Sequence, residues 1–84
     1  MYYSYVLRDS KGRLYKGCTN NLKRRLAEHR RGATQSTKSM SDVQLVYFET
    51  FATFAEARAR EVYFKTAAGR RYLSGKIADN SGNF

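Results

Sequence analysis

Arg25 and His29 stand four residues apart in the segment LYKGCTNNLKRRLAEH, residues 14–29, and Tyr15 lies near its start. At about 100° per residue on a helix, both sit beside the stripe formed by Leu22 and Leu26, whereas Lys23 and Arg30 turn toward water. The edge of a core partly desolvates such groups and restricts their rotamers. A guanidinium and an imidazole held there, near a tyrosine on the preceding strand, suit binding a phosphate and moving a proton. Taken singly, each has a plainer reading. An arginine flanking an apolar stripe usually snorkels, and a lone histidine is usually structural. The set and its spacing favour the chemistry.

Glu61 is the second informative residue. Phe54, Ala57, Phe64 and Ala68 recur at helical spacing, and Glu61 falls inside their stripe. An ionised carboxylate on a buried face needs a compensating cation or hydrogen bonds. The structural alternative is an ion pair with Arg25, Arg58 or Lys65. The functional alternative is a divalent metal, Mg²⁺ or Mn²⁺, which suits a hard oxygen ligand with room for water and a phosphate. Glu49, near a strand end, and Glu56, in a helix cap, carry less information.

These residues need elements to position them. Residues 2–7, YYSYVL, alternate as a strand with Tyr3, Tyr5 and Leu7 on one face. Asp9-Ser10-Lys11-Gly12 is a turn and residues 13–17 return as a second strand, so Tyr5 and Tyr15 come close in an antiparallel hairpin. Gly17 marks a place where the backbone turns or meets something closely. Thr19, Asn20 and Asn21 offer caps for the first helix, and Gly32 is placed to end it. Residues 33–42 form a loop long for so small a domain, either functional or a plain connector. Residues 43–51, VQLVYFETF, make a third strand with apolar residues on both faces, expected to be covered on both sides. Thr53 and Glu56 have capping-box spacing for a second helix. Gly69 is expected to break that helix before a short basic one over 70–77, carrying Tyr72, Leu73 and Ile77 for packing. The expectation is a single domain over residues 1–78 and a flexible tail over 79–84.

The 84-residue chain carries a formal charge of +9 and a pI near 10.1, which makes a polyanion the leading partner. Charge alone says nothing of chemistry. The single cysteine, Cys18, excludes an internal disulfide, and with a single histidine it cannot build a Cys/His zinc cluster. No stretch approaches a membrane span or resembles a signal peptide, so a reducing, cytoplasmic setting is expected.

The ordered set resembles the GIY-YIG nuclease superfamily, especially its small single-domain members. Tyr3-Ser4-Tyr5 stands at the first family triplet and Tyr15-Lys16-Gly17 at the second, followed by Thr19, Asn21-Leu22, Arg25 and His29. Ser36-Thr37-Lys38, Leu45-Val46-Tyr47, Glu56-Ala57, Arg60-Glu61 and Gly69-Arg70 continue the likeness. Cys18 stands where some members place a lysine. The resemblance implies an α+β fold, a three-stranded sheet flanked by helices in the order β-β-α-β-α-α. It also implies metal-dependent cleavage of phosphodiester bonds. Tyr5 and Tyr15 would line the site, one of them with His29 positioning or deprotonating water, while Arg25 steadies the phosphate. Glu61 would hold the metal, Mg²⁺ or Mn²⁺, and Gly17 would allow close backbone approach. Lys16, Lys23, Arg24, Lys38, Arg70 and Arg71 are the candidate phosphate contacts. DNA is favoured over RNA, with a role in repair or recombination and an accessory protein as a source of specificity. The competing reading is a non-catalytic nucleic-acid-binding module in which Glu61 only forms an ion pair.

Overall fold

The computed structural model describes residues 1–32, 40 and 42–79, and the side chains to residue 77. The chain runs β1 (Tyr2–Arg8), β2 (Leu14–Thr19), α1 (Leu22–Arg30), β3 (Gln44–Phe51), α2 (Phe54–Phe64) and α3 (Ala67–Asp79). The strands form one antiparallel sheet in the order β2-β1-β3. The architecture is the expected α+β arrangement, with β1 in the centre of the sheet. Of the expected tail, Asp79 ends α3, and the remainder lies outside the described residues, as do Lys38 and most of the 33–42 loop.

The first hairpin closes through Asp9, whose carboxylate accepts from the Lys11 and Arg13 backbone N–H groups at 3.1 and 2.8 Å. Gly12 takes φ +84°, a left-handed backbone that suits glycine in a turn. The register sets Tyr5 opposite Gly17 and Leu7 opposite Tyr15, so these four share a face. Gly17 therefore lies within β2, and the strand runs on through Cys18 and Thr19 rather than ending there. Of its two sequence readings, close approach is the one realised. A Cβ at position 17 would stand 2.6 Å from the Tyr5 Oη.

Each face of the sheet has its own core. On the Tyr5 face, Tyr5, Leu7 and Val43 pack with Tyr15, Leu45 and, from α1, Leu22 and Leu26. On the Val6 face, Val6, Val46 and Tyr47 pack with Phe64 of α2 and with Leu73 and Ile77 of α3. Alternation along β1 assigns residues to the two layers as expected. The third strand departs from expectation, since Phe48 is exposed and lines an open groove with Tyr3, Leu22 and Leu26. Its neighbours Val46 and Tyr47 are buried by a register shift opposite Val6 and Leu7.

Caps define the helices. Asn21 Oδ1 accepts from the Arg24 N–H at 3.0 Å to open α1, and Gly32, at φ +71°, donates to the His29 carbonyl at its end. Thr53 Oγ1 accepts from the Glu56 N–H at 3.2 Å to open α2. On α2 the buried stripe is Ala57, Glu61 and Phe64. Phe54 is exposed and packs edge-on to Tyr2, and Ala68 belongs to α3.

Gly69 does not separate the helices. Helix α2 ends at Phe64, and Thr66 starts α3 by accepting the Gly69 N–H at 3.1 Å while donating to the Tyr63 carbonyl at 2.6 Å. Gly69 lies in the first turn of α3, where a Cβ would meet the Tyr63 carbonyl oxygen at 1.9 Å. Backbone cannot yield as a side chain can. We expect Gly69→Ala to lower stability by about 3 kcal/mol, read from the urea midpoint of the full chain.

Glu49, passed over in the sequence, joins three elements. Its carboxylate accepts from Arg60 Nε at 2.8 Å, from Tyr72 Oη at 3.2 Å and from the Tyr47 hydroxyl. Arg60 in turn lies 4.7–5.1 Å from the ring centroids of Tyr63, Phe64 and Tyr72. A carboxylate and a guanidinium of this kind are satisfied on all sides, which fixes β3, α2 and α3 in one arrangement.

Candidate active site

Helix α1 delivers His29 onto the Tyr5 face, where it is 2 % exposed. Its Nε2 lies 2.9 Å from Tyr5 Oη. The Arg25 guanidinium, one turn earlier, makes a 3.0 Å ion pair with Glu28 and lies close enough to Tyr5 for its charge to favour the phenolate. Phenol and imidazole share one proton across this contact, and the imidazole tautomer sets which of them donates.

Burial governs the charge state of both groups. Burial, the larger effect, pushes the Tyr5 hydroxyl up to about 12 despite the opposing pull of Arg25. Burial, then the Arg25 charge, lowers His29 below its ordinary value of 6.5. A neutral phenol therefore faces a neutral imidazole at pH 7.

Tyr15 completes the cluster from β2. Its ring centroid lies 5.0 Å from that of His29 and 6.3 Å from that of Tyr5. The ring is half-buried, and its hydroxyl makes no hydrogen bond among the described residues. Thus Tyr5, Tyr15, Gly17, Arg25 and His29 converge on one face.

Glu61 stands on the other face. It is 5 % exposed on α2, and its oxygens accept from Arg58 Nη1 and Lys65 Nζ, each at 2.8 Å. The Cys18 thiol stands near it, and burial, then Glu61, push that thiol up. Burial pushes this carboxyl up, but the bonds from Lys65 and Arg58, with the nearby Cys18, outweigh it and hold the group below the usual carboxylate range. Arg25, one of the three cations weighed for it, is paired with Glu28 instead. The halves meet on edge strand β2, where Gly17 lies against Tyr5 and the next residue, Cys18, stands near Glu61.

Among the described residues no three His, Cys, Asp or Glu side chains come together. Glu61 would therefore serve as a single hard ligand to any metal it holds. That fits Mg²⁺ or Mn²⁺, which are held by one or two carboxylates with water and substrate phosphate completing the shell. It does not fit an ion that needs an all-protein cage.

The basic candidates divide in the same way. Lys16 on β2 is half-buried, and its pKa is lowered by burial and then by the charges of Arg70 and Lys65, so the three share one neighbourhood on the Glu61 side. Lys23 and Arg24 are exposed on α1, and Arg71 is exposed on α3. Lys38 lies outside the described residues. Arg58 and Lys65, two of the cations expected as ion-pair partners of Glu61, take that place. The available signal was their spacing from Glu61, three residues before and four after.

The buried neutral imidazole has a thermodynamic consequence. Because its folded pKa lies below the unfolded value of 6.5, the unfolded chain binds more protons as pH falls, and stability is lost through and below that value. The urea midpoint should therefore drop between pH 7.5 and 5 in the wild type and drop less in His29→Gln. Glu49 and Glu61 act below 4.5 and leave this window clear.

A three-stranded sheet carrying paired tyrosines, an arginine and a histidine on one face and a buried glutamate beside the same edge strand defines a class. Residues 1–73 match the family model described as GIY-YIG catalytic domain, and the chain belongs to that family, part of the nuclease superfamily. Within it, the chain is similar to small proteins named UPF0213. That of Clostridium perfringens is 42 % identical over 66 residues, covering 77 % of this chain and 71 % of that one. That of Bacillus licheniformis is 39 % identical over 79 residues, covering 89 % and 81 %. The solution NMR structure of a UPF0213 protein from Bacillus halodurans matches with a TM-score of 0.56 at 23 % identity over 98 % of each chain, a likeness of fold. No helix among the described residues is long and apolar enough to cross a membrane.

Proposed function

We propose that this protein is a metal-dependent endonuclease that hydrolyses phosphodiester bonds of DNA. The observation that carries the reading is the buried Tyr5–His29 hydrogen bond of 2.9 Å, with the Arg25 charge and the Tyr15 ring beside it. A structural core would more simply use apolar side chains here than a phenol, an imidazole and a guanidinium.

Each residue then has a task. Arg25, whose side chain is 36 % exposed, can exchange Glu28 for a phosphate oxygen and steady its charge. The open hydroxyl of Tyr15 orients the attacking water. Tyr5, kept protonated by burial, passes its proton to His29 Nε2 as it takes one from the water side, so the pair works as a relay. Glu61 would hold the divalent ion, which supplies charge neutralisation at the phosphate and leaving oxygen. Lys16, Lys23, Arg24, Arg70 and Arg71 grip backbone phosphates, which gives affinity without base reading. The branched or flapped substrates of repair and recombination, a cytoplasmic location and an accessory protein for specificity belong to this reading through the family likeness. Lys38 completes the proposed phosphate contacts.

One observation favours the alternative of a binding module without catalysis. Both Glu61 oxygens are already engaged by cations. Single-turnover cleavage of end-labelled branched, flapped, single-stranded and plain duplex DNA, each with Mg²⁺, Mn²⁺ or EDTA, separates the two. Cuts that require metal support the nuclease. Intact binding with no cut on any substrate supports the module.

A further inference from the structure

We propose that Arg58 and Lys65 form a displaceable counter-ion for Glu61. They hold the carboxylate while no metal is bound and pass to nucleic-acid phosphates when a divalent ion takes Glu61. The inference rests on Glu61 being the metal ligand, as proposed above.

The ion pairs are lopsided. The Glu61 side chain is 7 % exposed, whereas those of Arg58 and Lys65 are 56 % and 54 % exposed. The acid is fixed in the Val6-face layer between Ala57 and Phe64, and its partners reach it from water, three residues before and four residues after on the same helix. Long, solvated side chains change rotamer readily. The acid cannot follow them. An arriving cation must therefore break these pairs at the acid, and the two released side chains stay tethered within one helical turn of it.

Their surroundings say where they go. Lys16 already stands near both Arg70 and Lys65. Once the metal holds Glu61, four cationic side chains crowd the same side of β2 with their carboxylate neutralised. A polyanion is the counter-charge that fits, and the phosphates flanking the scissile bond would supply it. Metal and nucleic acid then bind with positive coupling, because each favours the exchange that the other requires. Lys16 and Arg70 can contact phosphate in either state. Arg58 and Lys65 join them only with metal present.

The test begins with Mn²⁺ alone. Binding of Mn²⁺ to the full-length chain without nucleic acid is followed by the EPR signal of the free ion, for wild type, Arg58→Gln, Lys65→Met and Glu61→Gln. Loss of one competing pair should tighten Mn²⁺ binding by about 3- to 10-fold in each cation variant, and Glu61→Gln should lose the site. Each cation variant leaves Glu61 one partner, and the two are read independently, so a folding failure in one leaves the other informative. Cation variants that bind no tighter, with Glu61-dependent binding intact, overturn the exchange and leave the metal reading standing. Mn²⁺ binding that is unaffected by Glu61→Gln overturns both. A second readout uses the salt dependence of short-duplex binding in Ca²⁺ and in EDTA. Two added phosphate contacts steepen the wild-type log–log slope by up to about 2 in Ca²⁺, and the Arg58→Gln and Lys65→Met variants should show a smaller difference. Equal slopes in the wild type overturn the transfer to phosphate.

Discussion

Glu61→Gln is expected to reduce cleavage by about 10³-fold or more, while nucleic-acid binding at fixed salt is retained or slightly tightened. The substitution keeps the side chain's size and removes its charge. On the proposed reading, the metal would lose its protein ligand without that charge, and the phosphate would lose neutralisation that Arg25 alone cannot replace. Binding should survive because the proposed grip on backbone phosphates, by Lys16, Arg70 and other basic residues, is left in place. Arg58 and Lys65, each 2.8 Å from the acid in the wild type, are freed as well, which adds positive charge to the surface. Single-turnover rates and binding isotherms on one labelled substrate check the prediction, and a thermal melt excludes unfolding as the cause. Cleavage within tenfold of wild type would remove Glu61 from the mechanism.

Gly17→Ala should cost both stability and activity through a single contact. The new methyl would stand 2.6 Å from Tyr5 Oη and 2.8 Å from its Cζ. Tyr5 is 1 % exposed, so the ring has no free space to enter. Relief requires moving the phenol away from β2 and off its 2.9 Å bond to His29. We expect a loss of about 2 kcal/mol of stability and about 100-fold in cleavage, the usual penalty for misplacing a reacting group by about 1 Å. Adding Tyr5→Phe to Gly17→Ala removes the nearest clashing atom. The double variant should regain part of the lost stability and none of the lost activity, a non-additivity that assigns the effect to this contact. Urea midpoints and single-turnover rates for the four proteins close the cycle. Full additivity in stability would place the role of Gly17 elsewhere.

What the sequence determined by itself is local. Asp9 and Gly12 specify the hairpin turn, alternation along β1 specifies which residues share a face, and Asn21 and Thr53 specify two helix starts. Each depends on hydrogen bonds or periodicities that span a few residues, so the signal lies within the segment itself. The grouping of Tyr5, Tyr15, Arg25 and His29 was legible for the same reason, since a short hairpin and one helical turn bring them together. Tertiary structure decided the rest. Which cation meets Glu61 depended on α1 and α2 covering opposite faces of the sheet, which withholds Arg25 and leaves the helical neighbours Arg58 and Lys65. Gly69 reads as a helix breaker until α3 packs so close to the Tyr63 carbonyl that no side chain fits. Glu49 looks idle on its strand, and its role exists only where Arg60, Tyr47 and Tyr72 converge from three elements. Gly17 announced a turn or a close contact, and only the cross-strand register, which sets it opposite Tyr5, decided between them. Face, depth and cross-element contact are set by how elements pack, and that information is spread over the whole chain.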